Sequence, residues 1–422
     1  MSTTSVQAPS ATPMENLRVA IGRPPVVIIL LWVLIFAAVP ISAMFSPSGW
    51  DVAVYRNAIH SLKAGHDPYL DDISAQKVYY SQAVRPVGDP PFNYVYSPMT
   101  LPLLRLIGSL PIWLSGSLYW LAYIVGVLAG IWVGTLALED NERRYFLYFA
   151  PVTIFFHGLI ANGIVLGGNI AYILYGLVLL AAVLGWRRGT WMWFYLAVIA
   201  ASCVKAPLLC LTIIPLLSAR KQWIPASVTA VAGVALFAVT PVIWPTLFKH
   251  YLQSLQLEFN YNHDFGSSPA GLFSDALHSR GIAYSPACIF FYLAYAIPTF
   301  ALLFYLSRRF LQGSFSLRQW MPVLLLGVML LNPRLIEYDL APITLLLALI
   351  AWRFLATFTT PLRIFLCLAL LLVATNFIAL QSWELGKLTQ GPLLVIYFTV
   401  GCVTLLKRSH IPAEVPMPAV AA

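Results

Sequence analysis

The stretch IWLSGSLYWLAYIVGVLAGIWVGTLAL, residues 112–138, runs for 27 residues without a charged side chain. A helix needs about 20 predominantly apolar residues to cross the ~30 Å hydrocarbon core of a bilayer, so this run is long enough to span with some tilt. Working outward from it, further apolar runs occupy Pro25 to Phe45, Tyr145 to Leu166, Asn169 to Trp186, Trp223 to Leu247, Ala283 to Leu306, Pro361 to Leu380 and Pro392 to Leu406. Shorter ones lie at Thr190 to Val204, Ala206 to Leu217, Gln319 to Leu331 and Leu340 to Trp352. The fold class this predicts is an all-α membrane protein, a polytopic helical bundle of about 10 to 12 transmembrane helices. The short runs flank polar breaks at Lys205 and at Asn332 to Asp339, the pattern of half-helices that end at an aqueous pocket.

Composition agrees. The chain is 60% hydrophobic and 10% charged, with mean hydropathy +0.79; an ordinary soluble domain carries about 25% charged residues. Its 25 glycines and 30 prolines are tolerated where neighbouring spans or a wet cavity satisfy the freed backbone groups. The net charge of +9 does not point to nucleic acid, because the cations sit in short loops between apolar runs rather than on one soluble face. Five cysteines, Cys203, Cys210, Cys288, Cys367 and Cys402, lie in apolar stretches without ligand spacing; neither a disulfide nor a metal site is expected. There is no Walker loop, no dinucleotide-binding glycine signature and no HExxH helix, so no cofactor is expected either.

Charge placement orients the spans. Fifteen of the 25 Lys and Arg residues, among them Arg143, Arg187, Arg220, Arg308, Arg318 and Arg353, fall on one side, which the positive-inside rule makes cytoplasmic, along with both termini. The opposite side receives 11 of the 16 acids, including Asp51, Asp67, Asp72, Glu337 and Asp339. Three regions follow: a cytoplasmic tail over 1–24, a transmembrane domain over 25–406 with long outer loops at 46–97 and 248–282, and a second cytoplasmic tail over 407–422. No inverted internal repeat of the kind common in secondary transporters is visible.

The outer loops hold the candidate chemistry. Val52, Tyr55, Ile59 and Leu62 recur at helical spacing, with Arg56, Asn57, His60 and Lys63 elsewhere, which predicts a helix lying along the membrane surface. Asp51 stands where its N-cap would be, so its plainer role is capping. Tyr94 and Tyr96 suit an interfacial aromatic belt or a platform for sugar rings. Lys205 lies amid apolar residues, where a lysine costs about 2.5–3.5 kcal/mol, so it calls for an anionic partner unless it snorkels. Arg334, Glu337, Tyr338 and Asp339 form either an internal ion pair or a phosphate site. Asn262, His263 and Asp264 read as loop polarity or as ligand contacts.

An acidic residue just after the first span, an interfacial helix, and many spans resemble the GT-C class of glycosyltransferases. Asp51-x-x-x-Tyr55-Arg56-x-Ala58, Gly65-x-Asp67-Pro68-Tyr69, Tyr94-x-Tyr96-Ser97-Pro98, Gly168-Asn169, Lys205-x-Pro207 and Arg220-Lys221-x-Trp223 are similar, in that order, to glycosyltransferase family 87. The resemblance runs from about residue 25 to 355. Mannosyltransferases of this family tend to carry histidines after the late proline-containing break, where this chain has Glu337-Tyr338-Asp339. The resemblance implies a GT-C-type bundle in a bacterial inner (plasma) membrane, with its active site facing the periplasm or exterior. It implies transfer of a hexose, mannose in the best-known members, from a polyprenyl-phosphate donor to a lipid or glycan acceptor, with inversion.

A polyprenyl phosphate departs already ionised, so the reaction needs one base on the acceptor hydroxyl and cations on the phosphate. Asp51 is the expected base and Lys205 and Arg334 the expected donor-phosphate ligands. Tyr55, Arg56, Tyr69, Asn262, His263, Glu337 and Tyr338 are the candidates for sugar or acceptor contact. The partners expected are the lipid-linked donor, the acceptor and membrane lipids, with no nucleic acid. The same buried cations also suit a lipid-linked glycan flippase or other transporter, or a polysaccharide polymerase or ligase.

Overall fold

The computed structural model describes residues 49–81, 93–143, 167–262, 268–278, 286–359 and 383–408, with residues 30, 33, 266, 280, 282, 361–363, 365 and 366. Apart from residues 30, 33, 361–363, 365, 366, 407 and 408, the expected spans over 25–45, 145–166 and 361–380 and both tails lie outside the described residues. Among the described residues helix accounts for 82% and no strand forms; the all-α expectation holds.

In chain order the helices are α1 (Trp50–Lys63), α2 (Pro68–Ser81), α3 (Leu101–Ser109), α4 (Ile112–Leu136), α5 (Ala171–Arg188), α6 (Met192–Val204), α7 (Ile213–Ser218), α8 (Trp223–Ile243), α9 (Pro245–Asn262), α10 (Pro269–His278), α11 (Ala287–Leu311), α12 (Leu317–Leu330), α13 (Glu337–Leu340), α14 (Thr344–Leu355) and α15 (Trp383–Arg408). Short 3-10 turns occupy Pro98–Thr100, Ala206–Thr212 and Ala341–Ile343. Among the described residues five segments are long and apolar enough to cross a membrane: α4, α5, α8, α11 and the continuous stretch Tyr338–Leu355. Shorter apolar helices lie at Met192–Val204, Ala206–Ser218, Leu317–Leu330 and Gly391–Lys407.

Exposure patterns separate the lipid-facing helices from the core. On α8 the exposed side chains include Val228, Val231, Val234 and Val242, and on α11 they include Ile289, Phe290, Ile297 and Phe304. Apolar faces this continuous are stable only against a hydrocarbon phase or a partner. The core centres on α12 and α14, where Leu324, Leu325, Leu326, Leu347, Ala348 and Leu349 are fully buried. Helix α4 meets α5 through small residues, and a Cβ on Gly126 would strike the carbonyl oxygen of Tyr172. Close backbone approach of this kind is how apolar helices associate where lipid supplies no hydrophobic drive.

The breaks fall where polar residues interrupt the apolar runs. Lys205 has an extended backbone (φ −127°, ψ 96°) at the end of α6, and Pro207 then sits in the first turn of the following 3-10 helix. The second break, 331–336, pairs Leu335 with Gly266 as an isolated bridge before α13 begins. The described parts of the two segments expected as outer loops are mostly helical: α1 and α2 in the first, most of α9 and α10 in the second.

Cations expected on one side of the membrane gather at one end of the bundle. Arg353, 5% exposed, donates from Nε to Glu142 Oε1 (2.8 Å) and from Nη2 to Glu142 Oε2 (2.9 Å) and the Ala137 carbonyl (3.0 Å). It also donates from Nη1 to the Arg318 carbonyl at 3.2 Å. Arg318 in turn reaches Asp140 at 3.5 Å, and Gln319 donates to Glu139 at 2.7 Å. This forked pair ties the end of α4 to the start of α12 and the end of α14.

Candidate functional site at the start of α1

At the opposite end, α1 begins on Gly49, whose φ of +75° lies in the left-handed region that glycine adopts freely. Asp51 is therefore not the N-cap: it lies in the first turn, where its charge suits the helix dipole. That side chain accepts a hydrogen bond from Asn169 Nδ2 at 3.0 Å. The amide orientation is set independently, because Asn169 Oδ1 accepts the Ala171 N–H at 2.9 Å, which turns the NH₂ toward Asp51.

The turn carrying Asn169 is held on both sides by tyrosines. Tyr119 donates to the Gly168 carbonyl (2.5 Å), and Tyr55 OH accepts the Ile170 N–H (3.0 Å). Gly168 has φ +73°, and a Cβ there would collide with Val52, as one on Gly167 would with the ring of Trp50. Only glycines let this turn come close enough for Asn169 to reach the carboxylate.

Beneath α1 lies a tyrosine core. Tyr55 and Tyr96 share a hydroxyl hydrogen bond of 2.8 Å, and Tyr69, fully buried, donates to the Tyr96 carbonyl at 2.6 Å. Ring centroids of Tyr69 and Tyr94, and of Tyr94 and Tyr96, are 5.6 Å and 5.4 Å apart, in the range where such pairs stabilise by about 0.5–1.5 kcal/mol beyond burial. Tyr94 and Tyr96 are 1% and 6% exposed, so they pack into the core rather than form an exposed aromatic belt. Burial, then Tyr96, Tyr119 and the Asp51 charge, raise the Tyr55 phenol far above its ordinary value, so it stays neutral.

Lys205 lies in electrostatic reach of Asp339, Arg334 and Asp51. Its ammonium contacts Asp339 Oδ1 at 3.5 Å and rests over the Tyr338 ring at 4.3 Å. The pair is recessed, with side-chain exposures of 18% and 5%, and Asp339 is the anionic partner that Lys205 calls for. Asp339 Oδ2 also accepts the Ile336 N–H at 3.1 Å, which anchors the late break to α13. Asp339 of this region therefore pairs with Lys205, a cation from outside the 332–339 cluster.

Arg56 is exposed and lines a groove of about 580 Å³ beside α1. Tyr55, Tyr96, Tyr119 and Ile170 line the same groove, as does Val204, next to Lys205. His263 lies outside the described residues, as do the side chains of Asn262 and Glu337. Asn169, Tyr96 and Asp339, already marked in the sequence motifs, join the site, and Tyr119 completes it without having stood out there. Aromatics at 119, 120 and 123 in an otherwise aliphatic span were the available signal for Tyr119.

The chain matches no protein-family model, and no curated protein or solved structure is significantly similar to it. The site has to be read from its own chemistry.

That chemistry is specific in outline. One carboxylate is oriented by a neutral amide, surrounded by neutral phenols, and set in the same electrostatic environment as a recessed ammonium and a guanidinium. Such a set can accept a proton at one point and hold an anion at another, without an acid beside the base.

Proposed function

We propose that this chain is a GT-C-type membrane glycosyltransferase, related to family 87, that moves a hexose from a polyprenyl phosphate to a lipid or glycan hydroxyl. The observation that carries this reading is Asp51, held by Asn169 at 3.0 Å and within electrostatic reach of Lys205. Asp51 takes the proton of the acceptor hydroxyl as its oxygen bonds to the sugar C1. The C1–O bond to phosphate breaks, its electron pair leaves with the polyprenyl phosphate, and the anomeric centre inverts. Lys205 and Arg334 hold the donor phosphate, while Arg56, Tyr338, Glu337, Asn262 and His263 surround sugar and acceptor. Tyr55 and Tyr69 support the site from the tyrosine core. The bundle has about 10 to 12 spans, and the site faces the periplasm or exterior of a bacterial inner membrane.

The test is transfer of label by purified protein from radiolabelled polyprenyl-phosphate mannose into membrane lipids or glycans. Label should move with the unaltered protein and fall by about 10²–10⁴-fold with Asp51→Asn. Full activity in a folded Asp51→Asn protein removes Asp51 as base. A second reading, a lipid-linked glycan flippase, draws on the buried Lys205–Asp339 pair, because intramembrane ion pairs also mark transport paths. Its signature is movement of the labelled lipid between leaflets with no new glycosidic bond.

A further inference from the structure

The groove beside α1 is built from two chemically different parts. Its walls are apolar, with Leu103 and Ile107 of α3, Leu118 and Ala122 of α4, and Ile173 of α5. Its rim along α1 carries Arg56, His60 and Lys63, which the positions i, i+4 and i+7 place in one stripe, and all three are exposed. No acidic side chain lines the groove among the described residues. A volume of about 580 Å³ lies within the range of small-ligand sites, roughly 300–1,000 Å³.

An apolar slot edged by cations on one helix fits an amphiphile with an anionic headgroup. We propose that this groove binds an anionic phospholipid and that this lipid is the acceptor, with its phosphate at Arg56, His60 and Lys63 and a headgroup hydroxyl reaching Asp51. The reach is short: Asp51 lies one turn before Tyr55, which lines the groove, about 6 Å along the same face of α1, which a polyol headgroup covers. The cations used here are separate from Lys205 and Arg334, which leaves those two for the leaving phosphate. The acceptor hydroxyl gives its proton to Asp51 and its oxygen to the sugar C1, and the donor phosphate departs with the bonding electrons. Assigning the bound lipid as acceptor rests on the glycosyltransferase reading; the lipid site itself does not.

Gly116 supplies the decisive variant, since it lines the groove and a Cβ there meets nothing within 4 Å. Gly116→Phe should fill the slot while leaving the melting temperature unchanged. Full-length protein is reconstituted in nanodiscs of phosphatidylcholine with phosphatidylglycerol, and retained lipid is measured by native mass spectrometry. Phosphatidylglycerol should be retained over phosphatidylcholine, and both Gly116→Phe and the double variant Arg56→Ala, Lys63→Ala should lower that retention by roughly tenfold or more. Asp51→Asn should leave it unchanged. Equal retention of the two lipids, retention unaffected by Gly116→Phe, or displacement of phosphatidylglycerol by polyprenyl phosphate overturns the site as drawn. With labelled donor and membranes carrying the protein, label should enter an anion-exchange-retained lipid fraction and disappear with Gly116→Phe. Label confined to water-soluble glycan overturns the acceptor assignment, whereas no transfer at all, with lipid retention intact, strikes the enzyme reading alone.

Discussion

Asn169 donates its side-chain amide to Asp51 at 3.0 Å across a separation of 118 residues, joining the turn before α5 to the start of α1. Asn169 is 2% exposed, and its carbonyl oxygen is already occupied by the Ala171 N–H, so neither the amide nor the carboxylate has much freedom. A carboxylate fixed in this way presents its oxygens in one orientation, as the base role proposed for Asp51 requires.

Asn169→Ala should therefore reduce turnover more than it affects substrate binding. A hydrogen bond to a charged group contributes about 1.5–3 kcal/mol, so kcat for label transfer should fall roughly 10- to 100-fold with little change in KM. A variant with unchanged kcat would show that Asp51 is held without Asn169.

Asp72 carries a pH dependence that separates fold from activity. Burial raises its pKa from 3.8 to about 6, against the opposing effect of the 2.7 Å hydrogen bond that it accepts from the Tyr94 N–H. A carboxyl raised in the folded state favours folding while it is protonated, so that stabilisation is present below about pH 4 and lost as pH rises through about 6. Thermal unfolding in detergent should show the melting temperature falling across this window, and Asp72→Asn should flatten that part of the curve.

At the other end of the bundle, removing one member of the buried Glu142–Arg353 pair should be costly. Arg353→Met leaves a buried carboxylate unpaired, with an expected loss of about 3–5 kcal/mol. The double variant Glu142→Gln, Arg353→Met should recover part of it. Arg353→Lys should not fully substitute, because an ammonium cannot make the two parallel bonds of 2.8 and 2.9 Å to Glu142. Unfolding midpoints of the unaltered protein, Arg353→Met, Glu142→Gln and the double variant form the cycle that tests the pair, with Arg353→Lys measured beside them.

The α4–α5 crossing gives a steric prediction with an internal control. Gly126→Leu should force the helices apart at Tyr172, destabilise by at least about 1–3 kcal/mol and displace the Asn169 turn, lowering activity as well. Gly116→Leu on the same helix meets open space and should leave stability nearly unchanged. Similar melting temperatures for the two variants would contradict the close crossing.

Hydropathy alone carried the membrane class, the positions of α4, α5, α8 and α11, and the breaks at Lys205 and before α13, because a long uncharged run has only a bilayer or a buried core to enter. Periodicity also placed α1, to within two residues of its ends. The surroundings of Asp51 were not legible in the same way. Adjacency to an apolar repeat made capping its plainer reading, and only the left-handed Gly49 moved the cap back and left the carboxylate accepting from Asn169.

What the sequence determined by itself was therefore local: which segments are apolar enough to span, where they break, and which few charges sit where charge is costly. What the tertiary structure alone decided was pairing: Asp51 with Asn169, Lys205 with Asp339, Glu142 with Arg353, and the tyrosines with one another rather than with solvent. The reason is physical. Hydropathy acts on each segment against its solvent and leaves its mark in the residues of that segment, whereas a hydrogen bond across more than a hundred residues depends on how helices cross, which small residues such as Gly126 and Gly168 permit without announcing the partner.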